Sequence, residues 1–185
     1  MIKELKIALI GCGNWGKNIA RNLNEMGSLA CIYDSNIKLS QKLSHDYSLP
    51  ILKLNKIFHD QNINAIVVAS PAVTHKDIAI EASKNNKDVF IEKPFCLSLA
   101  DAQKLSELAT NKNKVLMVGH LLNYHNAFIK MKELIKNGKI GALQNIRANR
   151  LALGAIRSEE SVIYDLSAHD ISMILSIVKE LPIDV

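Results

Sequence analysis

Apolar and polar positions alternate in blocks along residues 1–120, where short apolar runs are separated by longer stretches of helical periodicity. Apolar runs of this length are typical of parallel strands that are buried on both faces. We predict strands at residues 7–10, 29–33, 66–69, 89–91 and 115–118, and helices at residues 15–26, 74–85 and 98–111 with Ser98 as N-cap. Strands that alternate with helices imply right-handed crossovers, so the sequence predicts an α/β fold with a doubly wound parallel sheet.

The pattern changes after Gly119. We predict a helix at about residues 125–137, a turn at Gly138 and Gly141, and a strand where residues 143, 146, 148 and 151 alternate as apolar positions. A further helix is predicted at about residues 165–179, and residues 183–185 are predicted to begin another strand. Residues 121–185 therefore form a second, α+β unit with too few strands to be stable as a sheet of its own.

Composition and charge exclude several function classes. The chain has 185 residues, of which 48% are hydrophobic, enough for one complete core and part of a second. It has neither an apolar run long enough to span a membrane nor a secretory leader, so we expect a cytoplasmic protein without a membrane partner. The net charge of +5 is spread without a basic block, so no nucleic-acid partner is expected. Cys12, Cys31 and Cys96 lack metal-ligand spacing and are predicted to be reduced, with no metal site.

A glycine-rich sequence joins the first predicted strand to the first predicted helix. It consists of Gly11, Cys12, Gly13, Asn14, Trp15 and Gly16 and matches G-x-G-x-x-G. Its glycines permit a tight turn, a close approach of a pyrophosphate to the backbone, and close packing of helix on strand. Asp34, at the end of the second strand, can accept hydrogen bonds from both ribose hydroxyls and would repel a 2′-phosphate. We therefore predict a Rossmann domain over residues 1–120 that binds NAD in preference to NADP, the alternative being a turn that only connects strand to helix.

Glu92-Lys93-Pro94 follows the fourth predicted strand. The carboxyl ends of the strands are where open α/β sheets bind ligands. Lys93 is therefore placed to reach a substrate hydroxyl, and the alternative is a surface lysine.

With these motifs the whole chain resembles the Gfo/Idh/MocA family of NAD(P)-dependent sugar oxidoreductases. The resemblance rests on five ordered motifs: the glycine-rich turn, Ser70-Pro71 followed by His75, Glu92-Lys93-Pro94, Gly119-His120, and Asp165-x-x-x-His169-Asp170. It implies that Lys93 and His169 flank the substrate carbon that exchanges a hydride with the nicotinamide. It also implies that the Ser70-Pro71 turn lies against the cofactor, and we assign His75, Glu92 and Lys93 to the cofactor site with the glycine-rich turn.

Helical spacing gives a separate argument for Asp165 and His169. Residues four apart are neighbours on one helix face, so the carboxylate can hold one imidazole nitrogen and leave the other to accept a proton from a sugar hydroxyl. We therefore predict Lys93, His169 and Asp165 as catalytic residues. The alternative for His169 is a polar surface histidine.

Within the family, the stretches at residues 149–150 and 154–160 look most like members that act on UDP-N-acetylglucosamine or its uronate at position 3 of the sugar, in surface-polysaccharide synthesis. We assign substrate contacts to His120, Tyr124, Arg150 and Arg157, the arginines as forked donors to a carboxylate or diphosphate. The alternatives are a structural histidine at the domain junction and ordinary surface arginines. Asn123 departs from the pattern, because related sequences have arginine there.

The resemblance implies a substrate domain that continues into an open antiparallel sheet. This chain is predicted to hold only the first strand and the beginning of a second, so we expect a C-terminally truncated member. Two functions follow: an NAD-dependent oxidoreductase for a hydroxyl of a nucleotide-activated amino sugar, or a non-catalytic or partner-dependent NAD-binding remnant. An NAD-sensing regulator is disfavoured because no DNA-binding helix-turn-helix is evident. An apolar stripe on the last helix suits a homo-oligomer or a complementing C-terminal polypeptide. The stripe consists of Ile171, Ile174, Leu175 and Val178.

Overall fold

The computed structural model describes residues 5–151, 161–178 and 180–184. The chain separates into two compact units, Met1–Gly119 and His120–Val185. The assignment of residues 1–120 to the cofactor and 121–185 to the substrate stays a prediction.

Within the described residues, the first unit holds a parallel sheet of five strands in the order β2-β1-β3-β4-β5. The strands are β1 (Ile7–Ile10), β2 (Leu29–Tyr33), β3 (Ala65–Val68), β4 (Asp88–Ile91) and β5 (Leu116–Val118). Because β2 and β3 lie on opposite sides of β1, the strand order reverses there. Such a switch point opens a crevice at the carboxyl ends of the strands, which is where ligands bind.

Helices follow the strands of this sheet. They are α1 (Gly16–Glu25), α2 (Ile37–Tyr47), α3 (Leu54–His59), α4 (Ala72–Lys84) and α5 (Leu99–Asn111). The predicted N-cap of α5 is confirmed, because Ser98 Oγ accepts a hydrogen bond of 3.1 Å from the Asp101 N–H. Helices α2 and α3 were not predicted from the sequence. The N-cap signal of α2 was present in Asn36, whose side chain accepts from the Lys38 N–H at 3.1 Å.

Two apolar clusters cover the two faces of the sheet. Alternate residues of β1 enter different clusters, Ala8 and Ile10 one of them and Ile7 and Leu9 the other. Helices α4 and α5 pack with the first cluster, and α1 and α2 with the second. The predicted doubly wound sheet is confirmed, since strands that alternate between two covered faces are apolar on both sides.

The described part of the second unit is helical. It contains a 3₁₀ turn (Leu121–Tyr124), α6 (Asn126–Lys136), a π-helical turn (Ile163–Ser167) and α7 (Ala168–Val178). The π-helical turn lies where the sequence predicted the start of a regular α-helix. None of the described helices combines the length and the apolar character needed to cross a membrane.

Two predicted strands of this unit are wrong within the described residues. The segment 142–151 is irregular and leaves Leu143 and Leu151 exposed, and residues 183–184 are not in a strand. An alternating pattern forms a strand only where a neighbouring strand pairs with its backbone groups, and the described residues provide no such neighbour.

Candidate cofactor and active site

The glycine-rich turn begins where β1 ends, and its glycines are required for different reasons. Gly11 has a φ of +103°, and a Cβ there would lie 2.4 Å from the backbone of Ala69. A Cβ on Gly16 would lie 2.0 Å from the carbonyl oxygen of Gly11. A Cβ on Gly13 would meet nothing within 4 Å. Gly11 and Gly16 therefore serve the packing of the turn, whereas Gly13 leaves a space above it.

The N-terminus of α1 fits an anionic ligand at this space. Its N-cap, Trp15, makes no capping hydrogen bond with its side chain, and the first turn contains no acidic residue. The backbone N–H groups at a helix start attract anions, and no acidic side chain of this turn competes for them. The open space over Gly13 is the cradle that a pyrophosphate requires, so the residues present fit a dinucleotide.

Asp34 ties the end of β2 to the glycine-rich turn. Its Oδ2 accepts a hydrogen bond of 2.6 Å from the Cys12 N–H, and its Oδ1 accepts one of 2.7 Å from the Asn36 N–H. A carboxylate has about four acceptor positions, so Asp34 retains capacity for ribose hydroxyls. The contact places a fixed negative charge beside the predicted cofactor position.

The three cysteines are free and buried. Burial, reinforced by the charge of Asp34, raises the pKa of the Cys12 thiol to about 12. Burial also raises the pKa of Cys31 to about 12 and that of Cys96 above its ordinary value. The cysteines are therefore neutral core residues, and the thiol of Cys12 is not a nucleophile of the site. Within the described residues, no group of acidic, histidine and cysteine side chains is arranged to hold a metal ion.

Glu92 lies at the end of β4 and is 9% exposed. Its Oε1 accepts a hydrogen bond of 2.7 Å from the Trp15 indole, and its Oε2 accepts one of 3.3 Å from the Lys93 N–H. Burial raises the pKa of Glu92, while these hydrogen bonds and the charges of His75 and Lys93 oppose the shift. The carboxyl group therefore joins the glycine-rich turn to the Glu92-Lys93-Pro94 turn.

His75 joins two further turns at the same edge of the sheet. It is 1% exposed, with Nδ1 2.8 Å from the carbonyl oxygen of Pro94 and Nε2 2.9 Å from that of Ser70. Lys93-Pro94 is a cis peptide bond, and the Ser70 hydroxyl is 2.6 Å from that of Thr74. Because both ring nitrogens of His75 face protein carbonyl groups, it can serve a cofactor only through the turns that it joins.

In the second unit, His120 and His169 lie side by side. Their ring centroids are 6.1 Å apart at an interplanar angle of 81°. Burial lowers the pKa of His120, which favours its neutral form. Its Nδ1 is buried and has no hydrogen-bond partner among the described residues. His120 therefore combines a buried polar atom with a place beside the predicted catalytic histidine.

A chain of hydrogen bonds fixes the orientation of Asn123. The Ser172 hydroxyl donates to the carbonyl oxygen of His169 at 2.8 Å and therefore accepts from Asn123 Nδ2 at 3.3 Å. Asn123 Oδ1 is left buried and without a partner among the described residues. An amide so oriented offers an acceptor to a hydroxyl group. The sequence signal for this residue was its departure from the family pattern.

The other predicted substrate and catalytic residues have different surroundings. Arg150 pairs in a forked manner with Asp170, Nε to Oδ2 at 3.0 Å and Nη2 to Oδ1 at 2.8 Å, so that much of its donor capacity is already used. Tyr124 is 64% exposed. Asp165 lies in the π-helical turn, so the regular helical spacing used to pair it with His169 does not apply there. Arg157 lies outside the described residues.

Comparison with known proteins agrees with this geometry. Residues 5–120 match the model of a family described as an oxidoreductase family with an NAD-binding Rossmann fold. The 2,7-anhydro-N-acetylneuraminate hydratase of Escherichia coli K12 is 30% identical over 79% of this chain and 40% of its own length. The myo-inositol 2-dehydrogenase of Thermotoga maritima is 28% identical over 91% of this chain and 53% of its own length.

A similar solved structure is that of UDP-N-acetylglucosamine 3-dehydrogenase from Acidithiobacillus ferrooxidans. It superposes with a TM-score of 0.86 at 26% identity, over 97% of this chain and 58% of that protein. The chain spans about half the length of the relatives it matches, or less. These relatives are named for different substrates, so the comparison does not identify one substrate for this chain.

Proposed function

The chain belongs to the Gfo/Idh/MocA oxidoreductase family, whose cofactor unit is an NAD-binding Rossmann fold, and from this premise we propose that it moves a hydride between NAD and a hydroxyl-bearing carbon of a sugar. The observation that carries the proposal is the carboxyl edge of the sheet. There an open glycine-rich turn, the carboxylate of Asp34 and the Glu92-Lys93-Pro94 turn are joined by hydrogen bonds.

Gly13, Asn14, Trp15 and the backbone at the start of α1 are proposed to hold the pyrophosphate. Asp34 is proposed to hold the adenosine ribose. When bound, NAD supplies the group that accepts or donates the hydride. The site's own side chains then have to hold the sugar and manage the hydroxyl proton.

We assign the handling of the hydroxyl proton to Lys93, His169 and Asp165. An alcohol loses its proton as its carbon loses a hydride, so a base is required within hydrogen-bond reach of the hydroxyl. His169 supplies an imidazole nitrogen that can take up the proton, and Lys93 supplies a cation that stabilises the developing alkoxide. Asp165 is assigned to orient the imidazole.

The substrate contacts proposed for the second unit are His120 Nδ1 and Asn123 Oδ1. A neutral imidazole and an amide oxygen suit hydroxyl groups, which both donate and accept. The finer proposal is that the hydride moves to or from position 3 of a nucleotide-activated amino sugar, in cytoplasmic polysaccharide synthesis. Tyr124, Arg150 and Arg157 would complete the substrate contacts. The name of the Acidithiobacillus relative supports it, whereas the pairing of Arg150 with Asp170 weakens it.

A second candidate function is an NAD-binding subunit that turns over substrate only with another polypeptide or a second copy of itself. The observation that favours it is the exposed apolar stripe of α7, where Ile171 is 49% and Val178 39% exposed. Uncovered apolar surface of this kind marks a place where another chain can pack.

The test is hydride transfer followed at the nicotinamide absorbance band. The chain is incubated with NAD⁺ and either UDP-N-acetylglucosamine or myo-inositol. The variant Lys93→Met is assayed in parallel, with Glu107→Gln as control because Glu107 is an exposed residue of α5. We expect NADH to form with one of the two substrates, at a rate that Lys93→Met abolishes and Glu107→Gln leaves unchanged. If the chain binds NADH but turns over neither substrate, the result would contradict the proposed oxidoreductase and favour the partner-dependent NAD-binding subunit.

A further inference from the structure

The hydrogen bond between Trp15 and Glu92 spans two strands that are not neighbours. Trp15 stands in the turn after β1, Glu92 stands at the end of β4, and β3 lies between these strands in the sheet. The bond therefore crosses the carboxyl edge of the sheet above β3. It connects the turn proposed for the pyrophosphate with the turn that carries Lys93.

The chemistry of the two partners makes this contact specific. An indole N–H donates and cannot accept, while a carboxylate accepts at both oxygens. Glu92 is nearly buried, so the loss of its donor would leave a desolvated acceptor without compensation. Trp15 remains 44% exposed, so part of its side chain stays accessible.

The space around Glu92 admits little change. A Cβ on Gly119, at the end of β5, would lie 2.7 Å from Glu92 Oε1 and 3.0 Å from Oε2. The missing side chain at Gly119 therefore makes room for the carboxyl group in the orientation that reaches Trp15. Three turns, after β1, β4 and β5, meet at this one carboxyl group.

We propose that Glu92 is a positioning residue that acts through Trp15, holding the indole and with it the glycine-rich turn in the conformation that binds the dinucleotide. Glu92 itself exchanges no proton with the substrate. Its effect on hydride transfer is exerted through the placement of Trp15 and of the Lys93 backbone. The cofactor arm of this inference rests on the proposed function, and the contact itself can be tested without a cofactor.

The first test uses the indole N–H resonance of the full chain in a ¹H–¹⁵N correlation spectrum. Trp15 is the only tryptophan, so a single indole peak reports on this bond. We expect the peak to shift with pH as Glu92 ionises, with a midpoint above the ordinary range of glutamate because burial raises that pKa. The charged or titratable groups that also face Glu92 are His75 and Lys93.

The variants separate Glu92 from those neighbours. Glu92→Gln keeps an acceptor but cannot ionise, so the indole peak should lie near the position that it takes in the wild type at low pH, where Glu92 is protonated, and it should lose this titration. Any shift caused by His75 or Lys93 would persist in Glu92→Gln. The exposed control Glu107→Gln should retain the full titration. An indole peak in Glu92→Gln that titrates like the wild type would overturn the proposal.

The second test measures NADH affinity by calorimetry in Trp15→Phe, Glu92→Leu and the double variant. If the two residues act as one unit, each single variant should weaken NADH binding by roughly tenfold. The double variant should then lose no more affinity than the single variant with the larger loss. Glu92→Gln, unlike Glu92→Leu, should retain most of the wild-type affinity for NADH. Independent, multiplying losses would overturn the proposal, and if Glu92→Leu does not fold, the titration of the indole peak decides. Failure of every form to bind NADH, with the indole titration intact, would refute the proposed function and leave the contact established.

Discussion

The two units of the chain bury their apolar side chains to very different extents. Among the described residues, every hydrophobic side chain of the buried core lies in Met1–Gly119 except Phe128. Large apolar side chains of the second unit stay exposed instead, with Ile171 at 49% and Ile163 at 61%. Local helix periodicity therefore suffices to form α6 and α7, but their apolar faces gain little burial within the unit.

The same contrast separates the proposed cofactor residues of the first unit from the proposed substrate residues of the second. The cofactor residues stand on backbone turns over a two-faced core, and Asp34, His75 and Glu92 are engaged by turns of that same unit. In the second unit, His120 and Asn123 each keep a buried polar atom without a partner among the described residues. Stability and cofactor binding are therefore expected to respond to mutation mainly in the first unit.

The largest contrast is expected for one substitution made in each unit. Ile66→Ala in β3, at 0% exposure, should cost about 2–5 kcal/mol of unfolding free energy, because it removes a fully packed side chain. Ile171→Ala on α7 should stay within about 0.5 kcal/mol. Denaturant unfolding measures both. Equal losses would show that the stripe on α7 is covered in solution.

A pair of glycine substitutions separates packing from ligand binding inside the first unit. Gly16→Ala should cost about 1–3 kcal/mol, because the new methyl group overlaps the carbonyl oxygen of Gly11. Gly13→Ala should leave the unfolding free energy nearly unchanged, because its methyl group points into open space, yet it should abolish NADH binding. Thermal unfolding and NADH titration on the same samples check this. Normal NADH affinity in Gly13→Ala would place the cofactor elsewhere.

Replacing Lys87, which lies away from the glycine-rich turn, should have a smaller effect on the unfolding free energy. Its Nζ is buried and donates to the carbonyl oxygens of Asp60 at 2.6 Å and Ile63 at 2.9 Å. Lys87→Met should therefore cost about 1–3 kcal/mol by leaving two acceptors without a donor. The exposed neighbour Lys84, changed to methionine, is the control and should have no measurable effect. Similar unfolding curves for both variants would contradict the assignment.

The smallest effect concerns pH in the second unit. The hydrogen bonds from Arg150 lower the pKa of Asp170 below its ordinary value of 3.8. A depressed carboxyl pKa contributes stability that is present above pH 3.8 and is lost as the pH falls through the folded-state value. Protection of α7 amides from hydrogen exchange should therefore fall in that acid range, and Asp170→Asn should remove the dependence. A dependence that survives in Asp170→Asn would assign it to another group.

Local sequence signals predicted the first unit well and the second poorly, for a physical reason. Apolar runs, the spacing of the glycines and the Ser98 cap are local, and they correctly gave the sheet and the helices α1, α4 and α5. The predicted strand at residues 143–151 failed because a strand depends on a partner elsewhere in the chain. The bond between Trp15 and Glu92 was missed because its partners are 77 residues apart, a separation that leaves no periodic signal.

Calorimetric titration of NADH and NADPH into the full chain tests most directly whether the first unit binds NAD with a preference that is set by Asp34. We predict one site that binds NADH more tightly than NADPH, because the Asp34 carboxylate accepts from the ribose hydroxyls and repels a 2′-phosphate. Asp34→Ser should narrow the difference. Equal or reversed affinities in the wild-type chain, or no binding of NADH, would contradict it.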